Sequence, residues 1–174
     1  NTANFTMHGG SITGNHANKS GGGIYSTSNN ISIYGGGVTN NSVTKNGKAG
    51  GIYVSDPGTL TVGGNVNISG NWKGDSKESG SKNNVYLDYY NGAFASIVIK
   101  EALTGAPIGI TTANAPTAGN PVTIVTGNSI EEAYKDSFQA DNAAYGVSYN
   151  STDKVLQLHK HSGGTATCMA KASC

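Results

Sequence analysis

The chain has 174 residues and a formal net charge of +1, and only 12% of its residues are charged, about half the usual share. Its basic residues are all lysines and form no clustered stripe, which argues against a nucleic-acid partner because phosphate binding needs concentrated positive charge. No apolar run approaches membrane-spanning length, so we expect no membrane insertion. The first residue is not Met and lies inside a repeat, and we therefore expect a fragment of a larger protein.

One segment of the chain occurs three times with changes. Two sets of aliphatic residues occupy its matching positions at intervals of 26 to 33 residues: Ile12, Val38 and Ile68, then Ile24, Ile52 and Val85. A repeat of this length, built from short alternating stretches and Gly/Asn turns, is typical of a solenoid. We therefore expect function to lie on extended faces and not in one deep pocket.

Each repeat holds three predicted strands. The first strands cover 5–7, 31–33 and 60–62, the second are centred on Ile12, Val38 and Ile68, and the third cover 24–25, 52–54 and 85–87. In the third strand the aliphatic residues are predicted to point inward and the tyrosines outward. Stacked in register, such repeats form a parallel β-helix whose equivalent residues lie about 4.8 Å apart.

Asn15, Asn41 and Asn71 follow the second strand of the three repeats. We expect them at one corner, with side-chain amides that bond along the stack as in other stacked β structures. The polar residues 72–82 then interrupt the repeat and are predicted to form a projecting loop. A degenerate turn over 95–99, 108–110 and 122–124 follows, because the terminal repeats of a solenoid are commonly atypical.

The C-terminal part is predicted to close the stack. Ser129 and Glu132 have the spacing of a capping box, which predicts a short helix over 130–138. The apolar residues that this helix would bury are Ile130, Ala133, Tyr134 and Phe138. Residues 145–149 and 155–158 are predicted to form a hairpin. The predicted domains are a β-helix over 1–127, a cap over 128–160, and a linker or the start of a Cys-containing repeat over 161–174.

Metal and redox chemistry have few candidates. Cys168 and Cys174 can form a disulfide in an oxidising compartment, or can ligate a metal with partners beyond the end, and the sequence leaves both open. His159 and His161 can share one face of a strand, but two ligands do not complete a zinc site. We therefore predict no metal site and no cofactor.

An enzyme that hydrolyses glycosides needs two carboxylates that face each other. The candidates within the repeats are Asp56, Asp75, Glu78, Asp88 and Glu101. They lie in a turn, in the 72–82 insertion, or on different faces by the alternation of side chains. Ordinary surface solvation explains all five, so we predict no catalytic residues and no enzyme.

The outward tyrosines are the candidate ligand-binding residues. Tyr25, Tyr53 and Tyr86 should form a column, and Tyr89 should lie close to it. Aromatic side chains can anchor a protein partner or stack on sugars. The structural alternative is cross-strand stacking that only stabilises the sheet.

The pattern that begins Phe5-Thr-Met7 and continues through Gly9-Gly-Ser-Ile12-Thr-Gly-Asn15 to Gly21-Gly-Gly-Ile24-Tyr25 resembles a known family. Residues 3–92 are similar to the right-handed parallel β-helix repeats of adhesin-like surface proteins from anaerobic Gram-positive bacteria, and more loosely to the repeats of chlamydial polymorphic outer-membrane proteins. Residues 161–174 resemble a short Cys-containing repeat that follows such β-helices. The resemblance implies an extracellular, wall-attached parent protein, and it carries no catalytic residues.

Together these observations predict an all-β, right-handed parallel β-helix with a C-terminal capping helix and hairpin. The leading function is a non-enzymatic bacterial cell-surface module that binds host glycans or proteins or acts as a stalk. The alternatives are a fragment of a polysaccharide lyase or hydrolase and a host immunoglobulin-binding protein. Self-association through open solenoid ends is also expected.

Overall fold

The computed structural model describes residues 4–27, 31–128 and 130–161, which form a parallel β-solenoid of about four turns. The predicted parallel β-helix is therefore confirmed. In chain order the strands are β1 (Phe5–Met7), β2 (Ser11–Thr13), β3 (His16–Ala17), β4 (Ile24–Ser26), β5 (Ile31–Thr39), β6 (Ser42–Val43), β7 (Ile52–Val54), β8 (Thr59–Ser69), β9 (Trp72–Lys73), β10 (Ser81–Lys82), β11 (Val85–Leu87), β12 (Tyr89–Tyr90), β13 (Ala93–Phe94), β14 (Ser96–Leu103), β15 (Ile108–Thr112), β16 (Val122–Val125), β17 (Phe138–Ala140), β18 (Tyr145–Asn150) and β19 (Val155–Lys160). A 3₁₀ helix, Glu132–Ser137, precedes β17, and no helix in the described ranges is long and apolar enough to cross a bilayer.

Three sheets, each built from strands of successive turns, form the faces of the solenoid. The first sheet runs β1-β5-β8-β14-β16-β19-β18, with β2 also paired to β5. The second runs β3-β6-β9-β10, and the third runs β4-β7-β11-β15-β17. In the third sheet Ile24 pairs with Ile52, Ile52 with Val85, and Val85 with Ile110, all in parallel register. Matching repeat positions therefore superpose, as the sequence predicts.

The corners of the turn differ from the sequence prediction in one respect. β5 and β8 each contain both the first and the second predicted strand, so these two strands lie on one face. A register shift between Ile33 and Gly35 bends β5, and Gly36 there has a φ of +86°, which an L side chain rarely adopts. The second sheet was missed because its strands have only two residues each, too few for a periodic signal.

Aliphatic columns fill the interior. Ile31, Leu60 and Ile97 pair in register across the first sheet and are buried, as are Ile52 and Val85 of the third. Complete burial of such a side chain stabilises the folded state by about 1.5–3 kcal/mol. Because each turn supplies the same set, the core is continuous from one turn to the next.

The C-terminal cap closes one end of this core. β19 pairs antiparallel with β16 and with β18, and it buries Leu156 and Leu158, so the predicted hairpin is confirmed. The predicted helix is shorter than expected, because pairing of Phe138 with Ile108 begins β17 and ends the helix at Ser137. Ala133 is exposed, contrary to prediction.

Two further predictions concern the 72–82 insertion and the residues outside the described ranges. The insertion over 72–82 contains a small antiparallel pair, β9 with β10, in which Lys82 lies opposite Trp72. Ser129 of the predicted capping box lies outside the described residues, as do Cys168 and Cys174 of the tail.

Candidate functional site

A tyrosine column, formed by Tyr25, Tyr53 and Tyr86, lies on the third sheet. The parallel register places these residues directly over one another in β4, β7 and β11. Successive ring centroids are 4.9 and 5.9 Å apart, with interplanar angles of 10° and 12°. The first distance is close to the spacing of neighbouring strands, about 4.8 Å, so the strand pairing itself produces the stack. The predicted column is confirmed.

Exposure along the column is uneven, which the sequence did not predict. Tyr25 is 57% exposed, whereas Tyr53 is only 8% exposed. Neighbouring rings cover both faces of Tyr53, and one face of Tyr86 is covered in the same way. The outer face of Tyr25 has no ring stacked on it among the described residues. Tyr25 is thus the member of the column that can stack on a ligand.

A charged pair borders the column. The Tyr53 hydroxyl donates a hydrogen bond to Asp88 Oδ2, and Lys48 Nζ donates to Asp88 Oδ1 at 3.2 Å. Lys48 Nζ also lies 5.4 Å from the centroid of the Tyr86 ring, within cation–π range. Sequence reasoning missed Lys48 and treated Asp88 only as a catalytic candidate, because 40 residues separate the two.

These contacts fix the charges of the pair. Burial by itself would raise the pKa of Asp88, but hydrogen bonds from Tyr53 and Lys48 outweigh it and lower that pKa. Burial also opposes the charge of Lys48, yet the contact with Asp88 raises its pKa. The pKa of Tyr53 is raised by burial and by Asp88. At neutral pH the site therefore carries one anion, one cation and a neutral phenol that donates to the anion.

Tyr89 lies on a small hairpin outside the column. β12 and β13 pair antiparallel, and the Tyr89 and Phe94 rings have centroids 4.5 Å apart at 42°. Tyr89 and its neighbour Tyr90 are both exposed. Since Tyr89 follows Asp88 directly, the hairpin starts at the charged pair. The exposed aromatic surface therefore has two parts, Tyr25 and this hairpin, and the hairpin begins at the residue after Asp88.

An asparagine ladder runs through the interior at one corner. The backbone N–H and Nδ2 of Asn15 both donate to Oδ1 of Asn41, at 3.0 and 2.9 Å. Asn41 donates in the same way to Asn71, at 2.9 and 3.0 Å, and Asn71 donates to Asn84, at 2.9 and 3.1 Å. The predicted bonding of the three asparagines along the stack is confirmed.

Two members of the ladder were not predicted. Asn84 precedes β11 at the position that Gly51 holds before β7, and a Cβ at Gly51 would lie 2.8 Å from Nδ2 of Asn71. Asp141 then ends the ladder: it accepts from Asn84 N–H at 2.8 Å, Asn84 Nδ2 at 2.6 Å and the Thr111 hydroxyl at 2.9 Å. Burial raises the pKa of Asp141, although these three hydrogen bonds act in the opposite direction. The only sequence signal for this extension of the ladder is that Asn84 stands where the preceding repeat has Gly51.

The carboxylates of the enzyme alternative lie apart in the fold. Asp88 follows a strand of the third sheet, while Glu101 lies on β14 of the first sheet. Asp75 is exposed in the insertion, 3.8 Å from Lys45. A groove of about 520 Å³ includes Glu101 beside Lys100 and Tyr134, and Glu101 is the one carboxylate that lines it.

The histidines of the C-terminal strand lie together. The rings of His159 and His161 have centroids 5.4 Å apart in an edge-on arrangement, as their spacing predicts. Within the described ranges no three His, Cys, Asp or Glu residues are grouped as metal ligands.

Comparison with protein-family models, with curated proteins and with solved structures gives no match for this chain.

Proposed function

We propose that this β-solenoid is a non-enzymatic module of a bacterial cell-surface protein, located outside the cell, that binds host glycans or host proteins. The observation that carries the proposal is the exposed face of Tyr25 at the end of a preorganised tyrosine column. Tyr53 stacks directly on that ring and is itself stacked on Tyr86, so little side-chain entropy of Tyr25 remains to be lost on binding.

The chemistry of the surroundings fits such ligands. Lys48 offers N–H donors and Asp88 offers acceptor oxygens beside the rings, which suits the hydroxyl groups of a sugar or the polar groups of a peptide. Tyr89 and Tyr90 are further exposed aromatic residues, on the hairpin that follows Asp88. Tyrosine is enriched in protein interfaces because it combines a large apolar body with a polar tip.

The resemblance of residues 3–92 to the repeats of adhesin-like surface proteins supports the same proposal. A solenoid with polar exterior loops also suits a stalk, in which the rod positions other modules and binds nothing itself. Binding by the intact chain separates the two roles.

The test is a screen of the chain against a glycan array and a panel of host surface and secreted proteins that includes immunoglobulins. For any ligand found, we expect Tyr25→Ala to weaken binding at least about fivefold, as for an interface residue of high energetic weight. Phe5→Ala is the matched control, because Phe5 is an exposed aromatic residue of the same turn on a different sheet. Equal effects of the two changes would reject the tyrosine face as the binding site. If the wild-type chain binds nothing in the screen, the stalk is the role that remains.

A further inference from the structure

The asparagine ladder has a direction, and its two ends differ. Each asparagine donates its backbone N–H and its Nδ2 to the next member toward the C-terminus. At the far end Asp141 only accepts, which closes the ladder. At the near end Asn15 donates through Nδ2 to Asn41 and to the Thr13 carbonyl, and its Oδ1 accepts from no donor among the described residues. The near end is therefore an exposed acceptor with no donor from the described part of the chain.

The backbone at this end is open as well. Within the described ranges β1, β3 and β4 are edge strands of the three sheets, and β2 pairs with β5 alone. An edge strand presents a row of unpaired N–H and C=O groups that can template another strand. We call the surface formed by β1 to β4 the first-turn face.

Side chains of the first-turn face are exposed where their partners one turn on are buried. Phe5 is 39% exposed over Ile31 at 2%, and Tyr25 is 57% exposed over Tyr53 at 8%. Ile12 and Ile24 are only partly buried, over fully buried Val38 and Ile52. Apolar, aromatic and amide columns thus all stop at the same surface.

These features specify what can cover the surface. A parallel turn with asparagine at the ladder corner would donate its N–H and Nδ2 to Asn15 Oδ1, as Asn15 does to Asn41. The C-terminal end of a second copy cannot do so, because it presents the acceptor Asp141 and the antiparallel strands β18 and β19. A second copy turned face to face would bring antiparallel strands and another acceptor-ended ladder.

We propose that the first-turn face is an interaction surface for a further parallel β-solenoid turn with asparagine at the ladder corner. The turn supplies two N–H donors to Asn15, pairs with the edges of β1 to β4, and places apolar or aromatic side chains over Phe5, Ile24 and Tyr25. Such a turn and a ligand would both occupy the outer face of Tyr25, so at that face the turn excludes the ligand of the proposed function. The insertion test uses no ligand, and its outcome is read separately from that of the binding screen.

The test inserts a second copy of residues 31–59 between Asn4 and Phe5. This segment is one complete turn of the solenoid, and its last residue, Thr59, precedes Leu60 as Asn4 precedes Phe5. A paired variant carries Asn41→Asp in the inserted copy alone, which replaces the amide donor by an acceptor of the same shape. Insertion of the same copy after Thr59 shows whether the duplicated turn folds inside the stack, where solenoid turns contact only their neighbours.

Hydrogen exchange at the backbone amides of Asn15 and of residues 21–24 is the readout. We expect the inserted turn to slow exchange at these amides at least tenfold, and the Asn41→Asp copy to slow it clearly less. Unchanged exchange beside an internal duplication that folds would overturn the proposal. Equal slowing by both copies would overturn the role of the asparagine, and dimerisation of the unmodified chain with a protected first turn would identify a second copy as the occupant instead.

Discussion

The two ends of the solenoid differ in how the last side chains and hydrogen-bonding groups of the stack are covered. At the C-terminal end, Phe138 of β17 and the strands β18 and β19 cover the last aliphatic side chains, and Asp141 accepts the last donors of the asparagine ladder. At the first-turn face the equivalent columns end in exposed Phe5, Tyr25 and Asn15. A stacked β structure stabilises each turn through its neighbours, so a turn with one neighbour is stabilised less. We therefore expect stability to rise from the first turn toward the cap.

The largest effect is expected from a matched pair of phenylalanines, one at each end. Phe138 is 4% exposed and packs under the cap, whereas Phe5 is 39% exposed. We expect Phe138→Ala to lower the free energy of unfolding by about 3–5 kcal/mol, because it leaves a cavity. Phe5→Ala should cost about 1 kcal/mol or less. Urea denaturation measures both, and similar losses at the two ends would contradict the comparison.

The next effect concerns the ends of the asparagine ladder. Asp141→Ala leaves the N–H and Nδ2 of Asn84 and the hydroxyl of Thr111 without their acceptor. Each unsatisfied buried group costs about 1–3 kcal/mol, but the variant also removes the burial penalty of the Asp141 carboxylate, so we expect a net loss of roughly 2–4 kcal/mol. Asn15→Ala, at the open end, should cost less than about 1 kcal/mol. Asp141→Asn is the control for shape, since it keeps an acceptor for Asn84. Thermal or chemical unfolding of the three variants would refute the assignment if Asn15→Ala were the most harmful.

A smaller effect is expected along the tyrosine column. Tyr25→Ala removes one stacked ring of an exposed strand, and aromatic pairs contribute about 0.5–1.5 kcal/mol beyond their buried area. The loss should therefore be about 1 kcal/mol. Tyr53→Ala should cost more, because it breaks two stacking contacts and the hydrogen bond to Asp88. The reverse order in a denaturation experiment would show that the second stacking contact of Tyr53 and its hydrogen bond to Asp88 add no stability.

The smallest effect is the pH dependence that Asp141 contributes. Because its pKa is raised in the folded state, the folded chain binds this proton more tightly than the unfolded chain. The penalty for the buried anion is fully present above the folded pKa and disappears as the pH falls through that value toward the unfolded pKa. The stability of the native chain relative to Asp141→Asn should therefore increase as the pH is lowered from neutral. A relative stability that falls instead would mean that the hydrogen bonds from Asn84 and Thr111 outweigh burial.

The sequence predicts the columns because in-register stacking places identical repeat positions on top of one another. Ile24, Ile52 and Val85, the tyrosines between them, and Asn15, Asn41 and Asn71 all follow from this rule. The rule needs only the period of the repeat, so it works without knowledge of side-chain contacts.

Features that break the repeat could not be predicted in the same way. Asn84 and Asp141 join the ladder from positions 57 residues apart, and Lys48 meets Asp88 across 40 residues. Tyr53 is buried because rings stack above and below it. The alternation of side chains predicts only that Tyr53 points outward, and it says nothing about such coverage. Two-residue strands of the second sheet leave no periodic trace. The partners of these residues depend on how the chain winds in three dimensions and on where each corner lies, and the repeat period does not give either.

Residue-resolved hydrogen exchange of the native chain tests the difference between the two ends most directly. We predict fast exchange through β1 to β4, and the slowest exchange in β7, β8, β11 and β19, where strands have neighbours on both sides. Amides of β1 to β4 that are protected as strongly as those of β19, in a chain shown to be monomeric, would contradict the account.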